Sequence, residues 1–344
     1  MFVQKLLIPF GKIYGRVIDA RNVLYDRGIF RVFDLGARTI SVGNLTTGGT
    51  GKTPLVALIA EILSAEGEIV CILTRGYGRK NAGERVLVSD GKTVLVDANI
   101  GGDEPVELAR KLIGRAIVLA DKDRVEAAGW AKEQFGVTAF ILDDGFQHRR
   151  VKRDLDIVCI DATNPYGNGC ILPAGTLRES FKSLSRADAI VITRSDLVED
   201  ANSIEQRLRK RNGDAPIFHA ETIIKRFVRL ERFFESNSAL QDQTPPKLFV
   251  FTAIGNPDNF LRTLEKADVS HAGQKRFRDH FAYDVAAVAE ISQAAKAAGA
   301  DSLITTAKDA VKLREAKFEL PCYVAVAETA VDNLTEFERL ITSS

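Results

Sequence analysis

The sequence is poor in the residues that build zinc sites and disulfide frameworks. Its 344 residues include four cysteines and four histidines, and no two cysteines form a C-x-x-C pair. Structural zinc needs Cys and His ligands at short, fixed spacings, so no zinc site is expected. Isolated cysteines fit a reducing cytosol best. The cysteines are Cys71, Cys159, Cys170 and Cys322.

The chain also lacks a long apolar run and an excess of one charge. The apolar run Leu6–Phe10 is short and contains Pro9, whereas a membrane-spanning helix needs about 20 apolar residues. We therefore expect neither a spanning segment nor a cleaved signal. With 47 basic and 46 acidic residues the net charge is only +1, so no field of the whole chain attracts nucleic acid, and no nucleic-acid partner is expected.

Length and composition predict a globular protein with two domains. Apolar residues make up 45% and charged residues 27% of the chain, which argues against a disordered, a collagen-like or a fully membrane-embedded protein. A chain of 344 residues exceeds one typical domain and falls short of three. We find neither internal repeats nor low-complexity tracts.

The first 40 residues form a basic segment with helical periodicity. Seven Lys or Arg stand against three Asp, a local charge of +4, and apolar residues recur from Val3 to Ile18 at helical spacing. Pro9 is expected to separate two short helices or to start the second of them. Two interpretations remain open. The apolar face packs on the body of the protein, or the helix lies on an anionic membrane surface.

From residue 38 onward, short apolar runs alternate with helical patterns. Continuous β-branched runs are typical of parallel strands covered by helices on both faces, so the pattern predicts a mostly parallel α/β sheet. The predicted strands are Thr39–Val42, Ile69–Leu73, Ala116–Leu119, Ala139–Leu142, Ile157–Ile160 and Ala189–Thr193, and the predicted helices are Pro54–Leu63, Pro105–Leu112 and Val125–Phe135.

The pattern loosens between residues 199 and 247 and then resumes, which predicts a second, smaller α/β domain. A strand at Ile223–Leu230 is expected to link the two, and the polar run Ser236–Pro246 follows it. We divide the chain into N-terminal helices at 1–35, a first domain at 36–222, a smaller domain at 223–330 and a C-terminal helix at 331–344. The second pattern comprises strands Leu248–Thr252, Ser302–Thr305 and Cys322–Val326, helix Val285–Ala298 and a helix from Leu334.

The strongest motif is a phosphate-binding loop at 43–54, GNLTTGGTGKTP, between a predicted strand and a helix. Its glycines let backbone N–H groups face phosphate oxygens, Lys52 reaches the β and γ phosphates, and the Thr53 hydroxyl suits Mg²⁺. The general motif has glycine where this chain has Thr46, but the Gly-x-Gly-Lys-Thr ending is intact. The loop predicts a P-loop NTPase fold (RecA-like). The nucleotide-binding residues are Thr46, Thr47, Gly48, Gly49, Thr50, Gly51, Lys52 and Thr53.

Two consecutive carboxylates, Asp143 and Asp144, end another predicted strand. In phosphate-loop enzymes a carboxylate at such a position holds Mg²⁺, directly or through water, opposite the loop threonine. Both are therefore candidate metal residues together with Thr53, and the sequence leaves open which of them contacts the ion. A turn with Asp as a local cap is the alternative.

Phosphoryl transfer further requires a base and basic side chains near the γ-phosphate. Asp103 and Glu104 precede a helical pattern, and on spacing alone Asp103 is more simply interpreted as the helix N-cap. Arg75 and Arg124 each follow a predicted strand, and ligands of parallel sheets bind at that edge, so both are candidate phosphate contacts. His280 stands in a polar cluster, where a structural histidine is the commoner outcome.

Taken in order, these motifs resemble the tetraacyldisaccharide 4′-kinase family, the lipid A 4′-kinases of the inner membrane. The resemblance covers nearly the whole chain and includes the departure at Thr46. Two small differences are Thr176, where the family often has proline, and Phe281, where a second histidine is common. The matching segments are 43–54, 75–78 (RGYG), 102–105 (GDEP), 143–148 (DDGFQH), 172–175 (LPAG), 177–179 (LRE), 255–257 (GNP), 279–280 (DH) and 306–310 (TAKDA).

The resemblance implies transfer of the ATP γ-phosphate to the 4′-hydroxyl of a tetraacylated glucosamine disaccharide 1-phosphate, which forms lipid IVA, with ATP and Mg²⁺ as cofactors. It implies that Asp103 is the general base, that His280 supports it from the second domain, and that Lys52 completes the catalytic set. It further implies that Glu104, Gln147 and His148 line the site and that Arg124 and Glu179 help to bind the polar lipid head. Arg75, from its place after a strand, joins them as a candidate substrate contact.

A lipid substrate gives the basic N-terminal segment a further role. We expect this segment to meet the inner-membrane surface at its cytoplasmic face, as part of a peripheral protein, and to admit the acyl chains. The expected partners are the lipid disaccharide and the membrane surface, and no protein partner is required.

A regulatory GTPase or metal-insertion chaperone acting on a protein partner is the competing interpretation, because such proteins share this style of loop. The segment 193–196, TRSD, follows a predicted strand as the guanine-reading Thr-Lys-x-Asp motif does. Arg194 replaces its lysine, and no Cys-x-Cys metal motif is present. Another small-molecule kinase of this fold is a further alternative, which the apolar N-terminus disfavours.

Overall fold

The computed structural model describes residues 2–77, 79–81, 83–235 and 247–343. The polar run Ser236–Pro246 and Gly78 of the RGYG motif lie outside the described residues. In chain order the elements are α1 (Phe2–Asp26), β1 (Arg38–Asn44), α2 (Lys52–Ala65), β2 (Val70–Thr74), β3 (Val86–Ser89), α3 (Ala98–Gly101), α4 (Asp103–Lys111), β4 (Ala116–Ala120), α5 (Arg124–Phe135), β5 (Ala139–Asp143), β6 (Leu155–Asp161), β7 (Ala189–Thr193), α6 (Ala201–Arg209), β8 (Ile217–Arg229), α7 (Leu230–Phe233), β9 (Leu248–Thr252), α8 (Pro257–Lys266), β10 (His271–Arg276), α9 (Val285–Ala297), β11 (Ser302–Thr306), α10 (Ala307–Ala310), β12 (Cys322–Val331) and α11 (Leu334–Ser343).

Within the described residues, all twelve strands join one sheet in the order β10-β9-β11-β12-β8-β7-β6-β1-β5-β2-β4-β3. Neighbouring strands are parallel except in the pairs β3–β4 and β8–β12. The phosphate-loop strand β1 lies between β5 and β6, so the carboxyl ends of these strands meet at one edge. This edge carries the candidate functional residues, as expected for an open parallel sheet.

Helices cover both faces of the sheet, as the continuous apolar strands predict. On one face α2 and α4 pack with α11, and Leu55, Leu108 and Phe337 are fully or almost fully buried there. On the other face α5 and α6 pack on the opposite side chains of the same strands. The protein therefore has the predicted α/β fold, a mostly parallel sheet flanked by helices.

Two edge strands were not predicted from the sequence. β3 and β10 close the two ends of the sheet. Along β10 the side chains alternate between half-buried and exposed, and its sequence, HAGQKR, is polar. An edge strand has one neighbour and needs no continuous apolar run, so the pattern used to find central strands misses it.

The N-terminal segment forms a single helix, α1, and the expected division at Pro9 is wrong. A proline removes one main-chain hydrogen bond of a helix, but Pro9 is exposed and the helix continues through it. Among the described residues, no helix is long and apolar enough to cross a membrane.

The two α/β portions share one continuous sheet. The first residues of β8 pair with β7, and the rest of the strand pairs with β12. The predicted boundary between residues 222 and 223 falls within this strand. The last helix, α11, returns from β12 to pack on α2, directly behind the phosphate loop.

Candidate active site

The phosphate loop connects β1 to the first turn of α2. Gly51 precedes Lys52 with φ 75°, and Gly48 has φ 112°, backbone conformations that favour glycine. A Cβ on Gly43 would lie 2.5 Å from the backbone N of Phe146, so the start of the loop also needs glycine for close approach. The N-terminus of α2, with Lys52 and Thr53, is therefore presented as an anion site.

Side chains on both sides hold the backbone of the loop in place. The Asn44 side chain donates to the Thr46 carbonyl at 2.7 Å and to the Thr50 hydroxyl at 2.9 Å. From β7, the Thr193 hydroxyl donates to the Thr50 carbonyl at 2.8 Å, and Arg194 donates to the Gly49 carbonyl at 2.8 Å. These loop carbonyls point toward their donors. The opposite side of the loop, which carries N–H groups, is therefore left for phosphate.

This arrangement gives the TRSD segment a structural role. Thr193 and Arg194 support the phosphate loop, and Asp196 accepts a hydrogen bond from Lys266 at 2.6 Å. In a guanine-reading motif the same carboxylate would face the base. Here its charge is paired with Lys266, which counts against the GTPase interpretation.

The two strand-end carboxylates have different surroundings. Asp144 lies 3.4 Å from Lys52 Nζ and 2.6 Å from Arg178 Nη1. Burial acts to raise its pKa, but these cations prevail and lower the pKa to about 2. Asp143 is buried and accepts from the Thr74 hydroxyl at 3.1 Å, and burial raises the pKa of this carboxyl to about 6.

The donor set fits a magnesium ion held partly by nucleotide phosphates. Asp144 Oδ1 is buried without a hydrogen-bond partner in the described chain, and Asp143 brings a second carboxylate beside it. No group of three or more His, Cys, Asp or Glu that could hold a metal is found among the described residues. Magnesium in phosphotransfer sites needs only one or two carboxylates, because phosphates and waters supply the remaining oxygens.

A cavity of about 440 Å³ opens beside the loop and carries a strong positive charge. Its lining includes five basic side chains and one carboxylate, Asp144. Apolar groups of Tyr14 and Ile18 from α1 and of Leu172 form another part of the wall, so the cavity suits an anionic headgroup with apolar chains attached. The basic lining residues are Arg21, Arg75, Lys122, Arg124 and Arg178.

Arg124 and His148, which the resemblance assigns to the substrate site, both line this cavity. Arg124 is 4% exposed and donates to the backbone carbonyls of Asp143 and Asp144, so it also fixes the end of β5. Burial and the neighbouring Arg124 and Arg153 lower the pKa of His148 to about 3, which keeps its imidazole neutral at pH 7. Its Nε2 is buried and has no protein hydrogen-bond partner within the described residues.

Gln147 and Glu179 connect the cavity to the core. Gln147 lines the cavity and donates to Glu179 Oε1 at 2.8 Å and to the Asn44 carbonyl at 2.9 Å. Glu179 is only 1% exposed and accepts from Arg186 and, across from α1, from Asn22 at 3.0 Å. The structure thus places Glu179 beneath Gln147 rather than in the wall of the cavity.

A second cluster lies at the start of α4. The helix begins at Asp103, and the cap position is occupied by Gly102 with φ 92°, so the expected N-cap role of Asp103 is wrong. A Cβ on Gly102 would lie 2.8 Å from the Tyr77 carbonyl, which explains why glycine precedes the carboxylate. The Asp103 side chain is therefore available for other contacts.

Asp103 meets the second α/β portion directly. Its Oδ2 lies 3.0 Å from His280 Nδ1. Burial acts to raise the pKa of Asp103, yet the His280 hydrogen bond and the charge of Lys312 hold it below its ordinary value. The same hydrogen bond raises the pKa of His280. Glu104, next on the helix, is paired at 3.0 Å with Lys308, which also lies 3.4 Å from Asp279.

The two clusters border the same loop. A Cβ on Gly255 would lie 3.2 Å from Asp279 Oδ2 and 3.9 Å from the backbone N of Gly49, which places the His280 segment against the phosphate loop. Arg178, Lys308 and Lys312 were not singled out from the sequence as site residues. Arg178 stands within the LRE motif and Lys308 within the TAKDA motif, signals that could have identified them, whereas Lys312 is brought to the site only by the fold.

The chain matches a known protein family over nearly its whole length. The profile of the tetraacyldisaccharide-1-P 4′-kinase family matches residues 3–344. The chain belongs to this family. Two curated relatives named tetraacyldisaccharide 4′-kinase are each 40% identical: that of Desulfotalea psychrophila covers 97% of this chain and 94% of its own, and that of Geobacter metallireducens 96% and 94%.

A solved structure of the family agrees in fold. The crystal structure of LpxK from Aquifex aeolicus in complex with ATP superposes with a TM-score of 0.79, at 29% identity and with 99% of both chains covered. Family membership confirms the resemblance inferred from the motifs and the expectation of a kinase. It supports this interpretation over the GTPase or chaperone alternative.

Proposed function

We propose that the protein transfers the γ-phosphate of ATP to the 4′-hydroxyl of tetraacyldisaccharide 1-phosphate, forming lipid IVA. The observation that carries the proposal is a buried carboxylate, Asp103, paired with His280 beside a complete phosphate loop. Phosphoryl transfer needs positioning and charge neutralisation more than covalent chemistry, and these are the functions that the two clusters can supply.

The phosphate loop binds the triphosphate. Residues 48–53 offer N–H groups to the phosphates at the N-terminus of α2, and Lys52 neutralises charge on the β and γ phosphates. The N–H of Thr47 is bonded to the Thr176 carbonyl at 2.7 Å, so Thr47 contacts the nucleotide through its side chain. Lys52 Nζ lies 3.4 Å from Asp144 Oδ1. The nucleotide competes with Asp144 for this ammonium group.

Asp103 acts on the acceptor. The 4′-oxygen forms a bond to the γ-phosphorus while the bond from that phosphorus to the β–γ bridging oxygen breaks. ADP leaves with the electron pair of the broken bond, and the hydroxyl proton passes to Asp103. His280 donates from Nδ1 to Asp103 Oδ2 and keeps the carboxylate oriented.

Magnesium, when bound, would supply positive charge that stabilises the transferred phosphate. Thr53, Asp143 and Asp144 would hold it. The raised pKa of Asp143 supports this role, because a buried carboxylate with too little positive charge around it favours a cation.

The basic cavity accepts the headgroup of the lipid. Arg75, Arg124 and His148 contact its polar groups, and Tyr14 and Ile18 of α1 contact the beginnings of the acyl chains. We further propose that α1 lies on the cytoplasmic surface of the inner membrane. Leu6, Phe10, Ile13 and Val17 of this basic helix are each about 60% exposed, the pattern of an interfacial helix.

The direct test is transfer of labelled γ-phosphate from ATP and Mg²⁺ to tetraacyldisaccharide 1-phosphate in detergent micelles. We expect transfer from ATP to the lipid, little transfer from GTP or to a lipid-free disaccharide, and loss of transfer after removal of Mg²⁺ by chelation. No transfer, together with tight guanine-nucleotide binding, would overturn the proposal.

Two variants assign the roles of the residues. Asp103→Asn keeps the shape of the side chain and should lower kcat about 100-fold or more with little change in ATP affinity, since a general base contributes to the reacting step. Lys52→Ala should impair both kcat and ATP binding. Equal loss of ATP binding in both variants would contradict the assignment of Asp103 as base.

A further inference from the structure

One charged side chain of the active-site cluster has no place in the mechanism above. Lys312 follows α10 in the second α/β portion, and its side chain is only 9% exposed. Its Nζ lies 3.5 Å from Asp103 Oδ2 and 3.2 Å from Asp309 Oδ1. A buried ammonium group is costly unless it is paired, so its position between two carboxylates requires an explanation.

Asp309 is a rigid anchor for this lysine. It is fully buried, and its Oδ2 accepts from the Thr252 hydroxyl at 2.7 Å, the Thr306 hydroxyl at 2.9 Å and the Ala253 backbone N at 3.1 Å. Its Oδ1 accepts from the Tyr283 hydroxyl at 3.1 Å. These four donors come from β9 and the residue after it, from β11, and from the loop before α9. They fix the carboxylate with its Oδ1 directed to Lys312.

The ring of Tyr283 supports the lysine from another side. Lys312 Nζ lies 5.3 Å from the ring centroid, a distance at which the ring face attracts a cation. Asp309 and Tyr283 together hold the ammonium group on the second α/β portion. Its remaining contact reaches across to Asp103 on α4.

Lys312 and His280 converge on the same oxygen of Asp103. Both distances, 3.5 Å and 3.0 Å, are to Oδ2. Within the described part of the chain, no donor bonds to Oδ1. The Lys312 ammonium group and the His280 N–H therefore fix the orientation of the carboxylate and leave one oxygen for a substrate hydroxyl.

The other charged groups around Asp103 do not duplicate this contact. Lys308 acts on Asp103 only through space and is itself paired with Glu104 and Asp279. Glu104 and Glu107 are the acidic neighbours on the same helix, and Asp309 and Asp279 are those of the second portion. Among the residues that the structure describes, Lys312 alone is paired with both Asp309 and Asp103.

We propose that Lys312 is a positioning residue for phosphoryl transfer: anchored on Asp309, it holds Asp103 Oδ2 together with His280 so that Oδ1 receives the acceptor proton. This inference rests on the proposed function, since it assumes that Asp103 is the base. Lys312 contacts neither nucleotide nor lipid in this scheme.

Histidine NMR tests the contact without reference to catalysis. The chain has four histidines, so the imidazole signals can be followed individually, with His280 assigned from a His280→Gln variant. Lys312 and protonated His280 compete for one carboxylate oxygen. Lys312→Met removes the charge and keeps a side chain of similar length. It should therefore raise the pKa of His280 further, by about one unit.

Two controls accompany this titration. Lys312→Arg retains the charge and should keep the pKa of His280 near the wild-type value. Lys296→Met removes an exposed lysine paired with Glu319 and should leave the His280 titration unchanged. An unchanged pKa of His280 in Lys312→Met would overturn the proposed contact.

Steady-state kinetics test the consequence. Lys312→Met should lower kcat about tenfold while KM for ATP stays within about twofold, because orientation of the base is lost and the nucleotide site is intact. Lys312→Arg should recover part of the loss. A shifted His280 titration with unchanged kcat would overturn the positioning role.

Failure of the proposed function is distinguishable from failure of this inference. A wild-type protein that does not phosphorylate the lipid overturns the proposed function, whatever the His280 titration shows. A wild-type protein that transfers phosphate, with Lys312→Met equal to it in kcat, overturns the role of Lys312 alone.

Discussion

Glu179 illustrates the difference between a residue that contacts the substrate and one that supports the site. The resemblance assigns it to the lipid head, whereas its carboxylate is buried among Arg186, Asn22 and Gln147. Arg186 also stacks over the Phe146 ring at 4.4 Å, beside the start of the phosphate loop. Through these contacts Glu179 joins α1, Gln147 and the loop strand.

We predict that Glu179→Ala destabilises the protein by about 3–5 kcal/mol, because it leaves Arg186 buried without its partner. Urea unfolding at pH 7 measures this change. Glu319→Ala, which removes an exposed partner of Lys296, should cost less than about 1 kcal/mol. A loss of lipid affinity in Glu179→Ala with wild-type stability would instead support direct substrate contact.

The pH dependence of this stabilisation has a definite sign. Burial acts to raise the pKa of Glu179, but Arg186 and the hydrogen bonds prevail and lower it. A carboxyl with a lowered native pKa stabilises the fold above its unfolded value of about 4.3 and loses that contribution as the pH falls through the native value. The difference in unfolding free energy between wild type and Glu179→Gln should therefore be constant from pH 6 to 7 and shrink below about pH 4.

At the scale of single residues, the sequence predicts site residues that belong to a local motif. It misses site residues that only the fold brings together. Lys52 and Thr53 were identifiable because the loop needs fixed spacing between neighbours in the chain. Lys312 stands 209 positions from Asp103, and no spacing rule connects them. The N-cap expectation for Asp103 failed because an N-cap and a first helical residue differ only in backbone geometry, which Gly102 determines here.

Among the elements, α1 is bound to the body on one side and open on the other. Two glycines make the close contact: a Cβ on Gly11 would lie 2.7 Å from the Ile171 carbonyl, and one on Gly15 would lie 2.8 Å from Ile171 Cδ1. At the far end, Arg149 pairs with Asp26 at 2.6 Å. The packing interpretation therefore holds for one face of the helix, and membrane contact of the other face is our proposal.

We predict that Phe10→Glu combined with Ile13→Glu abolishes binding to vesicles containing phosphatidylglycerol. The two residues are 61% and 59% exposed, and carboxylates there would oppose both burial in the lipid interface and attraction to anionic headgroups. Co-sedimentation with vesicles measures binding, and far-UV circular dichroism checks that the helix is retained.

A matched control uses another exposed apolar residue. Val285, at the start of α9, is 87% exposed and lies outside α1, so Val285→Glu should leave vesicle binding unchanged. Equal binding by wild type and by the Phe10→Glu, Ile13→Glu variant would exclude this face of α1 as the membrane contact.

For the whole molecule, alternation of strands and helices is sufficient to predict the α/β class. It is not sufficient to predict that both portions share one sheet. That continuity depends on the antiparallel pairing of β8 with β12, whose partners Arg229 and Tyr323 lie far apart in the sequence. Local periodicity carries no information on such pairs.

The packing of α11 on α2 is a second feature that joins the two portions. Phe337 is fully buried against Phe218 of β8, with ring centroids 5.1 Å apart in an edge-to-face arrangement. It belongs to the same core as the phosphate-loop helix. The end of the chain thus completes the hydrophobic core of the first portion, and we expect the two portions to unfold together.

We predict that Phe337→Ala lowers the unfolding free energy by about 3–5 kcal/mol, the cost of emptying a buried aromatic site. Leu334→Ala, on the exposed side of the same helix, should change it by less than about 0.5 kcal/mol. Urea unfolding followed by fluorescence of the single tryptophan, Trp130 on α5, reports on the first portion, and far-UV circular dichroism reports on the whole chain. Because the sheet and α11 couple the portions, both signals should shift together to the same lower midpoint in Phe337→Ala. A Trp130 transition that separates from the circular dichroism transition in the wild type would show that the portions unfold independently, in spite of the shared sheet.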